Sequence, residues 1–334
     1  MPEQLPASYF IEGIERGDRV ALGRAITLVE SDLARDRHVA RELLAGIRPP
    51  QNTFRIAVTG VPGAGKSSLI ESLGQRFIRD NHRIAVLAVD PSSHLSGGSI
   101  LGDKTRMPFL SSVDAAFVRP SPTRGRLGGV AESTAEAIRL CEAAGFDIVF
   151  VETVGVGQAE IDAVDVADLV LLVLIGGAGD ELQGMKRGIL EIADIVAINK
   201  ADGPNSESAE LARSTLQSII RLMPETRPNW NRRILKCSTV TTDGIDDLFD
   251  CIATFRERVL ASGHLPDNRS KQRLRRFHQS LIASLENEIL GKPAVKALVE
   301  RLAIQIQDGS VEPQDAAQEV LTRLFAPESK NTDV

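Results

Sequence analysis

The chain of 334 residues is short of several things, and each shortage removes a class of function. Lys and Arg number 39 against 45 Asp and Glu, a formal net charge of -6, so there is no cationic surplus for an extended nucleic-acid footprint. Acidic ligands such as phosphates must then be held by a local device. Only three cysteines occur, Cys141, Cys237 and Cys251, with no C-x-x-C pair, and the five histidines lack metal-ligand spacing. A reduced, cytoplasmic setting is therefore expected. The longest apolar run, "LVLLVLI" at 169–175, is far too short to span a bilayer. The opening "MPEQLPASYF" has no basic stretch leading into an apolar one, so no signal peptide is expected. Internal repeats and low-complexity tracts are also missing.

What is present separates into three zones. Over residues 1–52 apolar residues recur at helical spacing (Val20, Leu22, Ile26, Val29, Leu33, then Val39, Leu43, Ile47), ending in "IRPP", which stops a helix. Over 53–262 the pattern changes to short, almost wholly apolar runs: "FRIAVTG", "RIAVLAVD", "AAFVRP", "DIVFVET", "DLVLLVLIG", "DIVAINK" and "RRILKCST". Continuous apolar strands alternating with amphipathic segments predict an α/β fold, a doubly wound, mostly parallel sheet covered on both faces. Over 263–334 helical spacing returns (Leu274, Phe277, Leu281, Leu285, Ile289 and onward), in a tail too small for a confident core of its own. That tail is expected to pack on the sheet domain or on a second copy of itself, which would make a dimer.

"GVPGAGKSS" (60–68) matches G-x-x-x-x-G-K-[ST], between the strand "RIAVTG" and a helical segment. The expected nucleotide contacts are Gly60, Pro62, Gly63, Ala64, Gly65, Lys66, Ser67 and Ser68. Glycines let backbone N–H groups turn onto phosphates, the helix N-terminus adds partial positive charge, Lys66 reaches the β and γ phosphates, and Ser67 offers a hydroxyl to Mg²⁺. "NKAD" (199–202) follows the strand "DIVAI", which puts Asn199, Lys200 and Asp202 at a strand's carboxyl end, where open α/β sheets bind ligands. A carboxylate there accepts from guanine N1–H and the exocyclic amine. Adenine has neither group and would leave Asp202 unpaired, a mismatch that can cost as much as about 10⁴ to 10⁵ in selectivity. "KCST" ends the next strand, and Ser238 with Thr239 and Val240 is expected to complete the base pocket. The parallel-type strand "RIAVLAVDPSS" (83–93) separates this chain from small Ras-like GTPases, whose edge strand there is antiparallel.

Mg²⁺ takes hard oxygen ligands and usually only one or two carboxylates beside the phosphates. Ser67, Asp90, Asp103 and Glu152 are the candidate donors, Asp90 and Glu152 each ending an apolar strand and Asp103 lying in a loop. In "VETVGVGQAE" (151–160) a glutamate stands where aspartate is usual, and Gln158 comes three residues after Gly155 instead of directly after it. No glutamine is therefore in the usual place to align water. Catalytic roles are assigned to Lys66, Glu152 and Gln158, with slow intrinsic hydrolysis that a partner raises by ordering the switches and recruiting Gln158, Lys104 or Arg106.

"DPSSHLSGGSILGDKTRM", "SPTRGRLGGV", "ETVGVGQAE" and "GAGDELQGMKRGI" together resemble the methylmalonyl-CoA mutase-associated GTPases, the MeaB/ArgK family. The resemblance implies a homodimeric GTPase using GTP and Mg²⁺ that acts as chaperone to an adenosylcobalamin-dependent mutase, coupling GTP hydrolysis to cofactor loading and protection. It also implies that Asp180, Gln183 and Lys186 form a switch touching the mutase, and that the C-terminal helices are the dimerisation arm. A metallochaperone GTPase would share the fold, but it should show a Cys/His cluster for its cargo, and none is present. The basic run "RSKQRLRRF" (269–277) is expected to be a solvated helix face, not a nucleic-acid site.

Overall fold

Each of the seven apolar runs forms a strand: β1 (Phe54–Gly60), β2 (Ile84–Asp90), β3 (Ala116–Pro122), β4 (Ile148–Thr153), β5 (Leu169–Ile175), β6 (Ile195–Asn199) and β7 (Arg233–Lys236). The structure is a computed structural model that describes residues 5–31, 33–50, 52–90, 107–122, 130–153, 165–177 and 187–325. The strands make one sheet in the order β3-β2-β4-β1-β5-β6-β7, with every pairing parallel. The N-terminal helices are α1 (Ala7–Glu15), α2 (Arg19–Val29) and α3 (Ala34–Gly46). Between the strands run α4 (Lys66–Arg79), α5 (Pro108–Ser112), α6 (Val130–Ala143), α7 (Arg187–Ile192) and α8 (Ser206–Ile220). After β7 come α9 (Ile245–Ala261), α10 (His264–Leu290), α11 (Pro293–Gln307) and α12 (Pro313–Phe325).

Strand side chains alternate between faces, and among the described residues the apolar runs feed three cores, one of them formed by Leu172, Leu174, Val196 and Ile198 with Ile189, Leu190 and Leu216. Ile56, Val58, Ile148 and Phe150 pack against α4 and α9 through Leu69, Leu73, Phe77, Phe249, Ile252 and Phe255. Ala57, Val149 and Val151 meet α6 and the N-terminal helices through Ile138, Leu22, Ile26 and Phe10. The N-terminal extension is thus one layer of the sheet domain. Asp18 starts α2, its carboxylate accepting from the Val20 and Ala21 amides at 2.8 and 3.2 Å. Two members of the expected stripe depart from it: Val20 and Leu33 are 61% and 52% exposed. The buried face of α2 is Ala21, Leu22, Ala25, Ile26 and Val29, and Val20 points about 100° away from Ala21 at its edge.

Three aspartates stand immediately before strands, and each ties a neighbouring strand to its own. Asp147 accepts from the Arg83 amide, Asp168 from Arg55 and Asp194 from Val170, each at 3.0 Å. Burial, the largest influence on Asp194, pushes its carboxyl above the usual range despite Arg227 beside it. The basic run of α10 is spent here and is not a fully solvated face. Buried Arg269 pairs with Asp168 at 2.6 Å and reaches the Thr53 carbonyl, Gln272 donates to the Ala167 carbonyl at 2.6 Å, and Arg275 meets Asp165 at 2.8 Å.

The chain divides into two compact units, Met1–Arg276 and Phe277–Val334. In the second, α11 and α12 close on Leu298, Leu302 and Ala316. Phe277, Leu281, Ile282, Leu285 and Leu290 of α10 are exposed. Among the described residues no helix is long and apolar enough to cross a membrane.

Candidate functional site

β1 lies between β4 and β5: the chain leaves it toward β2 on one side and builds β5 to β7 on the other. Its carboxyl end is therefore a topological switch point, where open α/β sheets leave a crevice. The glycine loop begins there. A Cβ on Gly60 would lie 2.0 Å from the Val173 carbonyl oxygen of β5, so the turn out of β1 requires glycine. Gly65, the residue before α4, has φ +83°, and a Cβ on it would come within 2.7 Å of Asn199 Nδ2. These two glycines let the loop double back above β1 and deliver Lys66, Ser67 and Ser68 as the first turn of α4, the positive end of the helix dipole. Pro62 and Gly63 at the loop's crest are exposed, while Ala64 is buried beneath it.

Lys66 is buried and folds over the loop, its ammonium donating to the Gly60 and Val61 carbonyls at 2.8 and 3.1 Å. Ser67 Oγ donates to Glu152 Oε1 at 2.7 Å. Glu152 sits opposite Val58 in the β1–β4 register and opposite Ala88 in the β2–β4 register, one residue before the end of its strand. A hydroxyl and a carboxylate in contact are hard oxygen donors of the kind Mg²⁺ takes, and this donor set fits that ion. Asp90 ends β2, two residues beyond Ala88.

The base end is assembled from β6 and β7. Fully buried Asn199 donates from Nδ2 to the Ala64 carbonyl at 2.8 Å, coupling the "NKAD" strand end to the glycine loop. Its Oδ1 lies 3.8 Å from Cys237 Sγ, whose thiol burial pushes up to about 12, so that it stays a neutral donor. Ser238 Oγ donates to Asp202 Oδ1 at 2.6 Å and accepts from the Val240 and Thr241 amides at 3.1 and 3.2 Å. That leaves Asp202's remaining lone pairs to accept from a base. Lys200 is exposed, Thr239 half-buried and Val240 exposed, around the same opening. Lys200 and Thr242 hold φ values of +57° and +66°. For β-branched Thr242 such a conformation costs on the order of 1–3 kcal/mol and concentrates at ligand-clamping loops.

The structure thus gathers Gly60 to Ser68, Glu152, Asn199, Lys200, Asp202 and Ser238 to Val240 along the carboxyl edge of the sheet. Asp103, Gln158, Asp180, Gln183 and Lys186, with Lys104 and Arg106, lie outside the described residues. Two residues of this edge escape sequence reasoning. Thr59 and Thr153, each next to the last registered β1–β4 pair, are buried and their hydroxyls have no hydrogen-bond partner among the described residues. "VTG" and "VET" read as ordinary strand ends, and only the pairing of β1 with β4 brings the two threonines to adjoining positions.

Comparison with known proteins accords with this geometry. A family model described as methylmalonyl-CoA mutase-associated GTPase MeaB matches residues 22–294. A putative GTPase of Caulobacter vibrioides is 47% identical over 310 residues, covering 92% of this chain and 94% of the relative. GTPase ArgK of Escherichia coli is 38% identical over 93% of this chain and 94% of its own. The mouse methylmalonic aciduria type A homolog, mitochondrial, is 39% identical over 94% of this chain and 78% of its own. A crystal structure described as LAO/AO transport system kinase superposes with a TM-score of 0.78 at 30% identity, covering 97% of this chain and 99% of that one. The chain is a GTPase and belongs to the methylmalonyl-CoA mutase-associated GTPase family.

Proposed function

We propose that this GTPase is a homodimeric, cytoplasmic chaperone of an adenosylcobalamin-dependent acyl-CoA mutase, methylmalonyl-CoA mutase in the first instance, and that GTP binding and hydrolysis gate cofactor loading and protect the mutase. The observation that carries the reading is the family match over residues 22–294, whose description names that mutase. The mouse relative's name refers to methylmalonic aciduria, which agrees with it. The exposed apolar residues Phe277, Leu281 and Leu285, at four-residue spacing on α10, support a second copy as their cover.

In this reading the amides of the 60–68 loop and the first turn of α4 hold the phosphates, and Lys66 exchanges its loop carbonyls for β and γ oxygens. Ser67 and Glu152 hold Mg²⁺, with Asp90 and Asp103 completing the shell. When bound, the ion neutralises charge that develops on the transferred phosphoryl group. Asp202, oriented by Ser238, reads guanine; Asn199 keeps the base end in register with the phosphate loop; Lys200, Thr239 and Val240 flank the ring. Gln158 aligns water only once the partner orders its segment, and Asp180, Gln183 and Lys186 contact that partner.

Calorimetric titration tests the nucleotide assignment. GDP should bind at least about a thousandfold tighter than ADP. Asp202→Asn should lose guanine affinity and gain xanthosine diphosphate, because an amide N–H now faces the 2-keto oxygen that replaces the amine. Equal affinity for GDP and ADP in the parent chain sinks the assignment. Co-purification of added mutase with the GTP-loaded chain tests the partner, and failure to retain it at micromolar concentration counts against that half of the reading.

A further inference from the structure

On the edge of the sheet opposite the glycine loop, a cavity of about 430 Å³ opens between the 221–233 segment, the end of α9 and the start of α10. That volume falls within the roughly 300–1,000 Å³ typical of small-molecule sites. Trp230, 3% exposed and with Nε1 donating to the Asp194 carbonyl at 2.9 Å, and Val259 line it, together with Arg227, Arg258 and His264. The acids beneath are already committed. The Asp168 and Asp194 side chains are fully buried, the first on Arg269 at 2.6 Å and the second on Arg227 at 3.3 Å, and each also holds a strand amide. The basic side chains at the mouth are not. Arg258 is exposed, with its guanidinium carbon 5.8 Å from the Trp230 ring centroid, and His264 opens the first turn of α10. Neither side chain has a hydrogen-bond or ion-pair partner among the described residues.

The surroundings have the same sign. "RLMPETRPNWNRR" (221–233) carries four arginines against one glutamate, in a chain whose net charge is -6. Arg221 and Arg233 line a second cavity of about 450 Å³ that also borders Trp230. The amides that begin α10 add the positive end of a helix dipole to this mouth. A guanidinium without an ion-pair partner and an imidazole beside an indole suit neither a neutral aromatic molecule, which leaves the guanidinium unanswered, nor a bare inorganic anion, which leaves the indole unanswered. We propose that this cavity is a second ligand site, separate from the nucleotide crevice, for a small organic anion: a carboxylate held by Arg258 and His264 and carried on a flat or acyl body that packs on Trp230.

Trp230 is the chain's single tryptophan, so its emission reads this cavity directly. The full-length protein, with GDP and Mg²⁺ saturating to occupy the nucleotide site, is titrated with 3-phenylpropanoate, with 3-phenylpropanamide and with inorganic phosphate. The carboxylate should change Trp230 emission saturably, and the amide and phosphate should need at least about tenfold higher concentration. Arg258→Glu and His264→Asp should each raise the half-saturation point about tenfold or more with GTP hydrolysis unchanged. The second variant puts a carboxylate in the first turn of a helix, where it favours folding, so a loss there is not a loss of structure. A linear response, equal responses to acid and amide, a saturable response that both variants leave intact, or none at all because a second copy covers the cavity, each overturns the proposal.

Discussion

Glu152 and Asp202 are held alike at the carboxyl edge of the sheet: each carboxylate accepts from a serine hydroxyl, Ser67 at 2.7 Å and Ser238 at 2.6 Å. Glutamate in place of the usual aspartate therefore brings the carboxylate to Ser67 from a position opposite Val58. Thr59 and Thr153 are the opposite case, buried hydroxyls with no hydrogen-bond partner among the described residues. A buried polar group left unsatisfied costs about 1–3 kcal/mol, whereas an apolar group of the same shape avoids that cost. Thr153→Val should accordingly raise the unfolding free energy in urea by about 1 kcal/mol, and a loss of that size would show that the hydroxyl is paired. At this scale the sequence was legible wherever a motif fixes both residue type and spacing, as with Lys66 and Asn199. The threonine pair was not legible, because its meaning depends on which strands are neighbours. Cys237 was counted as a reduced thiol, but its position beside Asn199 Oδ1 follows only from the pairing of β6 with β7.

The seven strands could be read from apolar runs because a strand covered on both faces has no polar side to interrupt it. Their order could not be read: nothing in "DIVFVET" says that β4 slots between β2 and β1. The aspartate that begins "DIVFVET", "DLVLLVLIG" and "DIVAINK" was visible three times, yet its task of accepting a neighbouring strand's amide needs that order. The basic run at 269–277 misled for a related reason, since its partners Asp165 and Asp168 lie more than a hundred residues earlier in the chain. α10 is thereby clasped to the amino ends of the strands. Removing one member of a buried ion pair leaves the other charge uncompensated, so Arg269→Ala should lower stability by about 3–5 kcal/mol in urea denaturation. The half-exposed Arg275–Asp165 pair should contribute no more than about 1 kcal/mol. Equal effects from the two arginines would contradict the clasp.

At the scale of the whole chain, the glycine loop and "NKAD" lie at the carboxyl edge of the sheet and the ionic layer of Asp168 and Asp194 at its amino edge. The exposed stripe on α10 suits self-association. Light scattering at micromolar protein should give twice the chain mass, and Leu281→Glu with Leu285→Glu should return it to one; a monomeric parent would remove the dimer from the proposal. Gln158 comes three residues after Gly155 instead of directly after it, and under the proposed function it is the partner that completes the site. The most direct test is the steady-state GTPase rate at saturating GTP and Mg²⁺, with and without saturating methylmalonyl-CoA mutase. The account predicts a slow intrinsic rate that rises at least about tenfold with the mutase and no longer rises in Gln158→Ala. A rate that saturating mutase leaves unchanged would contradict it.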